Sequence, residues 1–237
     1  MATTTANGWT ILDKDAGVLY REYDFGGGIA TTLAYRSGVG DELHVMSPAN
    51  KMSEAAFKEL DEFGKVTALI TCNGFHWLGQ PEWRTRYPGA VSYGPDGGLK
   101  RLRKKVPSAT WESVSALKSA ANVRCYELPG LKMANALVTI DTPTGTFWYP
   151  SDFIANIPKL PPNFLLRFLF QRTDSGPGYK LFRLATWLMI KDKAAAREAM
   201  LAEVHRHPLR AVIPAHGKHV EGGDLLALTE AQLARLK

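Results

Sequence analysis

Residues 66–88 read V-T-A-L-I-T-C-N-G-F-H-W-L-G-Q-P-E-W-R-T-R-Y-P. The opening run, 66–71, is apolar and partly β-branched, the pattern of a strand buried on both faces. A loop follows at 72–79, with glycines and one histidine, His76. Pro81 suits a first helical turn and Pro88 ends the segment, so a short helix is predicted over 81–87. Strand, polar loop and helix in that order place side chains at the carboxyl end of a sheet, where open α/β folds build their sites.

Upstream, short strands are predicted at 9–12, 18–25, 29–35 and 42–47, separated by glycine-rich turns that suit antiparallel hairpins. The triple glycine at 26–28 has no Gly-Lys-Ser/Thr after it and reads as a turn, not a phosphate loop. Ser53 caps a helix carrying Phe57, Leu60 and Phe63 at helical spacing, with Gly64 at its end. Downstream come a strand at 90–93 and a basic helix at 99–105, L-K-R-L-R-K-K. On that helix two leucines share a face and the cations point to water. No aromatic residue interleaves for base stacking, which argues against nucleic acid as a partner. Strands follow at 123–128 and 136–140, the latter forming a hairpin with 146–149 that delivers Ser151 and Asp152. Residues 154–162 read as a proline-rich loop. Helices are predicted at 163–172, 179–191 and 193–205, the first two strongly apolar and aromatic. A last strand at 211–213 runs into Pro214, Ala215, His216 and Gly217, and a final helix starts near Asp224.

The 237 residues are 45% hydrophobic and 22% charged, enough to bury a substantial core. The net charge of +6 is mild. Cys72 and Cys125 form no disulfide framework, and the N-terminal residues lack a basic region followed by an apolar run. With no segment of spanning length, these features predict a cytoplasmic protein without a transmembrane helix. No fixed-period repeat or low-complexity linker appears, so a single domain over 1–237 is expected, with a helical apolar segment at 163–205. If its apolar face is exposed at 163–190, it would serve as a homodimer contact or lie on a membrane surface.

Three polar residues follow apparent strands: His76, Asp152 and His216. Imidazole and carboxylate are natural ligands for a borderline divalent metal. Several phrases around them resemble the metallo-β-lactamase superfamily, whose fold is a four-layer αββα sandwich of the α/β (α+β) class. T-C-N-G-F-H-W-L-G-Q resembles that family's His-x-His-x-Asp-His loop, P-G-L at 129–131 its Pro-Gly-His turn, W-Y-P-S-D its bridging aspartate strand, and I-P-A-H-G its final histidine motif. The departures matter as much. Cys72, Gly74, His76 and Trp77 stand where the family's loop ligands would be, and Leu131 replaces the histidine of the turn. The resemblance therefore implies a divergent branch with a degenerate loop, one His followed by Trp-x-x-x-Tyr-Pro (Trp83 to Pro88), and not the usual two-zinc centre.

Two main readings follow. In one the protein lacks metal or catalysis and binds a small ligand or a partner in a pocket lined by Trp77, Phe75 and Leu131. In the other His76, Asp152 and His216 are catalytic ligands of one divalent ion, zinc or similar, in a hydrolase acting on an ester, phosphoester or amide. Cys72 as a fourth, softer ligand would close the open position. A third reading makes Cys72 a nucleophile with His76 as base. Trp83 and Tyr87 are expected to pack beneath the site, His44, His205 and His207 to play ordinary structural roles, and His219 to be a spare ligand.

Overall fold

The computed structural model describes residues 2–237. The chain divides into two compact units, Met1–Tyr126 and Glu127–Lys237.

The first unit is built on one sheet. Its strands are β1 (Thr3–Thr4), β2 (Thr10–Asp13), β3 (Val18–Asp24), β4 (Ile29–Arg36), β5 (Glu42–Met46), β6 (Lys65–Ile70), β7 (Val91–Gly94) and β8 (Trp111–Ser113), in that spatial order. Neighbours from β1 to β5 are antiparallel and those from β5 to β8 parallel. The change of direction has a simple cause. Glycine turns join the early strands, whereas helices α1 (Glu54–Asp61), α2 (Gln80–Arg86) and α3 (Leu99–Lys105) form the crossovers that parallel neighbours require. Ser53 caps α1 as expected, its side chain accepting from Ala56 N at 3.2 Å.

Strand alternation separates the faces of this sheet. Leu19, Ala34, Leu43, Val45 and Leu69 join Phe57, Leu60 and Trp83 from α1 and α2 in one core cluster. The indoles inside it are satisfied: Trp9 Nε1 donates to Ala56 O at 2.9 Å and Trp83 Nε1 to Ala49 O at 2.7 Å. Trp83, Phe57 and Tyr87 meet edge to face or tilted, so Trp83 and Tyr87 are packing residues as anticipated. On the residues between, Tyr35 and His44 are cross-strand partners buried to 0% and 2% exposure, ring centroids 5.5 Å apart.

The boundary between the units falls within β9 (Val123–Glu127). In the second unit β10 (Ala136–Thr142) and β11 (Gly145–Tyr149) form the expected hairpin. A separate pair, β12 (Ile154–Ile157) and β13 (Gly178–Leu181), is antiparallel. The helices are α4 (Phe164–Arg172), α5 (Arg183–Met189), α6 (Lys193–His205) and α7 (Leu225–Leu233). β14 (Leu209–Val212) runs parallel to β11 and antiparallel to β15 (Val220–Glu221).

The fold class is mixed α/β, as the sequence indicates. Three local expectations need correction. Residues 179–191 are not one helix, because Gly178–Leu181 pairs with Ile154–Ile157 and the helix starts at Arg183. The apolar spacing after Leu181 is helical, but the ladder bonds to β12 decide the first three residues, 179–181. Residues 154–157 are accordingly strand, not loop, and Trp111–Ser113 adds a strand at the end of the first sheet. Among the described residues no helix is long and apolar enough to cross a membrane.

Candidate metal centre

In the second unit the topology itself brings two donors together. β11 and β14 are parallel neighbours with Trp148 opposite Val212, so their carboxyl ends lie side by side. The pairing continues past the strands: Ile213 N donates to Trp148 O at 2.8 Å and Ala215 N to Ser151 O at 3.2 Å. Asp152 and His216 each follow by one residue. His216 Nε2 lies 3.3 Å from Asp152 Oδ1, with side-chain exposures of 19% and 7%.

That spacing is informative. It is longer than a good N–H···O bond, for which 2.7–3.2 Å is usual. Two donors bound tetrahedrally to one ion at about 2.05 Å each are roughly 3.3 Å apart. The pair therefore fits as two ligands of one divalent ion.

The loops around the pair are fixed by unusual backbone. Ser151 has φ 53°, a left-handed conformation that costs a residue with Cβ of order 1–3 kcal/mol. It is fully buried, and its hydroxyl donates to Asn135 Oδ1 at 2.9 Å. Asn135 in turn donates to Met133 O at 3.1 Å. Gly217 has φ +92°, and a Cβ there would sit 1.9 Å from Asn156 O. Only glycine lets the His216 loop close on β12, where Asn156 N donates to His216 O at 2.9 Å. Phe182 meets the His216 ring edge-on at 6.0 Å.

In the first unit, the loop after β6 carries Cys72, Asn73 and His76, all buried. Asn73 organises it: its Oδ1 accepts from Phe75 N at 2.9 Å and its carbonyl from His76 N at 3.4 Å. Gly79 ends the loop where a Cβ would meet Pro48 O at 2.1 Å. Gln80 then donates to Leu69 O at 3.0 Å and accepts from Ser92 Oγ at 3.0 Å, tying the helix start to β6 and β7.

Two cations of α3, both exposed, also reach this loop. Arg101 lies over the Phe75 ring at 4.4 Å and donates to Gly74 O at 2.8 Å; Lys105 lies over Trp77 at 5.2 Å. Trp77 packs with Leu102, Val106, Ala109 and Trp111, while Phe75 is 44% exposed. Leu131 is half-buried and bridges to Ile190 through its backbone, so the 129–131 turn is anchored to the end of α5. His219 lies 3.8 Å from Glu221 Oε1, and burial lowers its pKa.

The structure thus joins Asp152 to His216 within one unit and places His76, Phe75 and Trp77 on the β6 loop and Leu131 on a different turn of the second unit. Asn135 escaped sequence reasoning, and Ser151 and Arg101 were placed by it without a role in supporting these loops. For Ser151 the W-Y-P-S-D phrase is a faint signal, but a positive φ has no residue signature outside glycine and asparagine.

No protein-family model matches the chain, and no curated protein does. Solved structures do. A metallo-β-lactamase from Erythrobacter litoralis with β-mercaptoethanol in its active site is 15% identical, with TM-score 0.62, over 99% of this chain and 100% of that one. A putative diflavin flavoprotein from Nostoc sp. PCC 7120 is 13% identical, with TM-score 0.57, over 100% and 94%. The metallo-β-lactamase FIM-1 from Pseudomonas aeruginosa, in a mono-zinc form, is 12% identical, with TM-score 0.55, over 99% and 95%. At these identities the likeness is one of fold, and it spans nearly the whole length on both sides: the chain has the metallo-β-lactamase fold.

Proposed function

We propose that the protein is a single-metal hydrolase of the metallo-β-lactamase fold, its ion held by Asp152 and His216 with His76 as third ligand. The observation that carries this reading is the 3.3 Å separation of a buried carboxylate and a largely covered imidazole at adjacent parallel strand ends. His76 is assigned from the family-like order of the motifs and from its burial after β6. A bound divalent ion would lower the pKa of its water toward neutrality and polarise the scissile oxygen of an ester, phosphoester or amide. The chain's own contribution is orientation. Ser151 and Asn135 fix the turn that carries Asp152, and Gly217 fixes the loop that carries His216.

The usual two-metal centre has little support. Its loop histidines correspond to Cys72, Gly74 and Trp77, and that of the turn to Leu131.

A second reading rests on Cys72, which is fully buried in the same loop as His76. As a fourth, thiolate ligand it would leave no open position, and the protein would bind a small ligand or partner without turnover.

Zinc titration of the purified full-length chain should give one ion per molecule. His216→Ala and Asp152→Asn should each weaken binding by more than the roughly 10–100-fold typical of losing an outer-shell partner. Undiminished binding by His216→Ala would sink the metal site. Cobalt substitution separates the two readings, since a thiolate charge-transfer band that disappears in Cys72→Ser marks the closed, non-hydrolytic site.

A further inference from the structure

Helices α4 and α5 break the ordinary rule of burial. Along α4 only Phe170 is buried, while Phe164 is 82%, Leu165 63% and Phe168 52% exposed. On α5, Trp187 is 71% and Leu188 46% exposed. Isolated apolar residues on a surface mean little, but a cluster of aromatics and leucines marks a contact.

Charge identifies the contact. Residues 159–193 carry seven lysines and arginines against two carboxylates, a net of +5 out of the chain's +6. Both carboxylates are engaged locally. Asp174 pairs with Lys180 and Arg235, and Asp192 caps α6 by accepting from Ala195 N at 3.0 Å. Among the described residues Arg167, Arg172 and Arg183 have no carboxylate partner. Beside the apolar face lies a cleft of about 250 Å³ whose lining includes Arg172, Arg183, Trp187 and Lys193 and no acidic side chain.

An isologous contact between two copies would set +5 against +5, which disfavours a dimer through this face. Aromatic and leucine side chains ringed by unpaired guanidinium groups match an anionic bilayer surface instead. We propose that the α4–α5 face docks on anionic phospholipid. Phe164, Phe168 and Trp187 enter the headgroup boundary, and Arg172 and Arg183 bind lipid phosphates at the mouth of the cleft. This inference stands independently of the metal site.

Sedimentation of the full-length protein with vesicles tests it. Partition onto phosphatidylcholine containing phosphatidylglycerol should exceed that onto phosphatidylcholine alone by about tenfold or more, and high salt should reverse the excess. Binding should shift Trp187 emission to the blue, and Trp187→Phe should abolish the shift. Arg172→Glu with Arg183→Glu should remove the preference for anionic vesicles. Phe164→Ser with Phe168→Ser should remove binding while leaving thermal unfolding unchanged, because both side chains are exposed. Equal binding to both vesicle types, or to neither, would overturn the proposal. So would a concentration-dependent dimer in sedimentation velocity that the double serine variant dissolves.

Discussion

The loop after β6 and the loop after β14 stand at equivalent places, each at the carboxyl end of a parallel strand and each closed by a glycine pressed against a carbonyl. At Gly79 a Cβ would lie 2.1 Å from Pro48 O; at Gly217 it would lie 1.9 Å from Asn156 O. Their contents differ. The β14 loop sets an imidazole beside a carboxylate, whereas the β6 loop has one buried histidine and is covered by cations of α3. The lesson is that one way of closing a strand-end loop serves two different contents: close packing is kept in both loops while the polar side chains they carry differ.

The sharpest way to break the comparison is to add one methyl group at each closing glycine. Gly217→Ala meets two penalties, a φ of +92° and the overlap with Asn156 O, and should destabilise by about 4 kcal/mol. Gly79→Ala meets only the overlap, since its φ of −81° is ordinary, and should cost about 3 kcal/mol. Gly178 isolates the other penalty: φ is +90° with open space around it, so alanine there should cost about 1 kcal/mol. Urea unfolding of the three variants gives the ordering. If Gly217→Ala proves as mild as Gly178→Ala, the tight closure of the β14 loop is wrong.

The histidines extend the contrast. His216 faces a carboxylate, but His44 has a buried Nδ1 with no hydrogen-bond partner, and burial lowers its pKa from 6.5 to about 4. Its neighbour Tyr35 is pushed upward by the same cause. Between pH 6.5 and 4 the unfolded chain takes up a proton that folded His44 refuses. Stability must therefore fall as pH drops through that window, by about 3 kcal/mol in all, with no further loss from this group below about 4. His44→Phe should flatten that part of the profile. Stability curves of the parent and the variant that run parallel from pH 7 to 4 would show that His44 titrates normally.

How much of this was legible in the sequence depended on whether a local signal and a tertiary outcome agreed. The β6–loop–α2 segment was readable because Pro81 and the apolar run at 66–71 each carry a backbone consequence of their own. Asp152 and His216 were readable as polar residues after strands and as ligands of a shared ion; the parallel pairing of β11 with β14 is what puts them 3.3 Å apart. Residues 179–181 misled because Leu181, Phe182 and Leu184 continue a helical spacing that the ladder to β12 overrides. The cations of α3 are exposed as the helix face implied, but a helix face does not say that Arg101 and Lys105 also lie over Phe75 and Trp77.

The smallest expected effect concerns the two asparagines that shape the loops. Asn135 is fully buried and receives the hydroxyl of Ser151, which is also fully buried, at 2.9 Å. In Asn135→Ala that hydroxyl loses its acceptor away from water, a cost of about 2 kcal/mol. Asn73 Oδ1 instead receives the backbone N of Phe75, a residue 44% exposed. Water can replace that acceptor, so Asn73→Ala should cost about 1 kcal/mol. The more telling readout is zinc affinity. Asn135 supports the turn that presents Asp152, so its loss should weaken binding roughly 10-fold or more, as outer-shell substitutions do. A larger affinity loss in Asn73→Ala than in Asn135→Ala would move the dominant metal ligands from the β11–β14 edge to the β6 loop and reverse the contrast between the two loops.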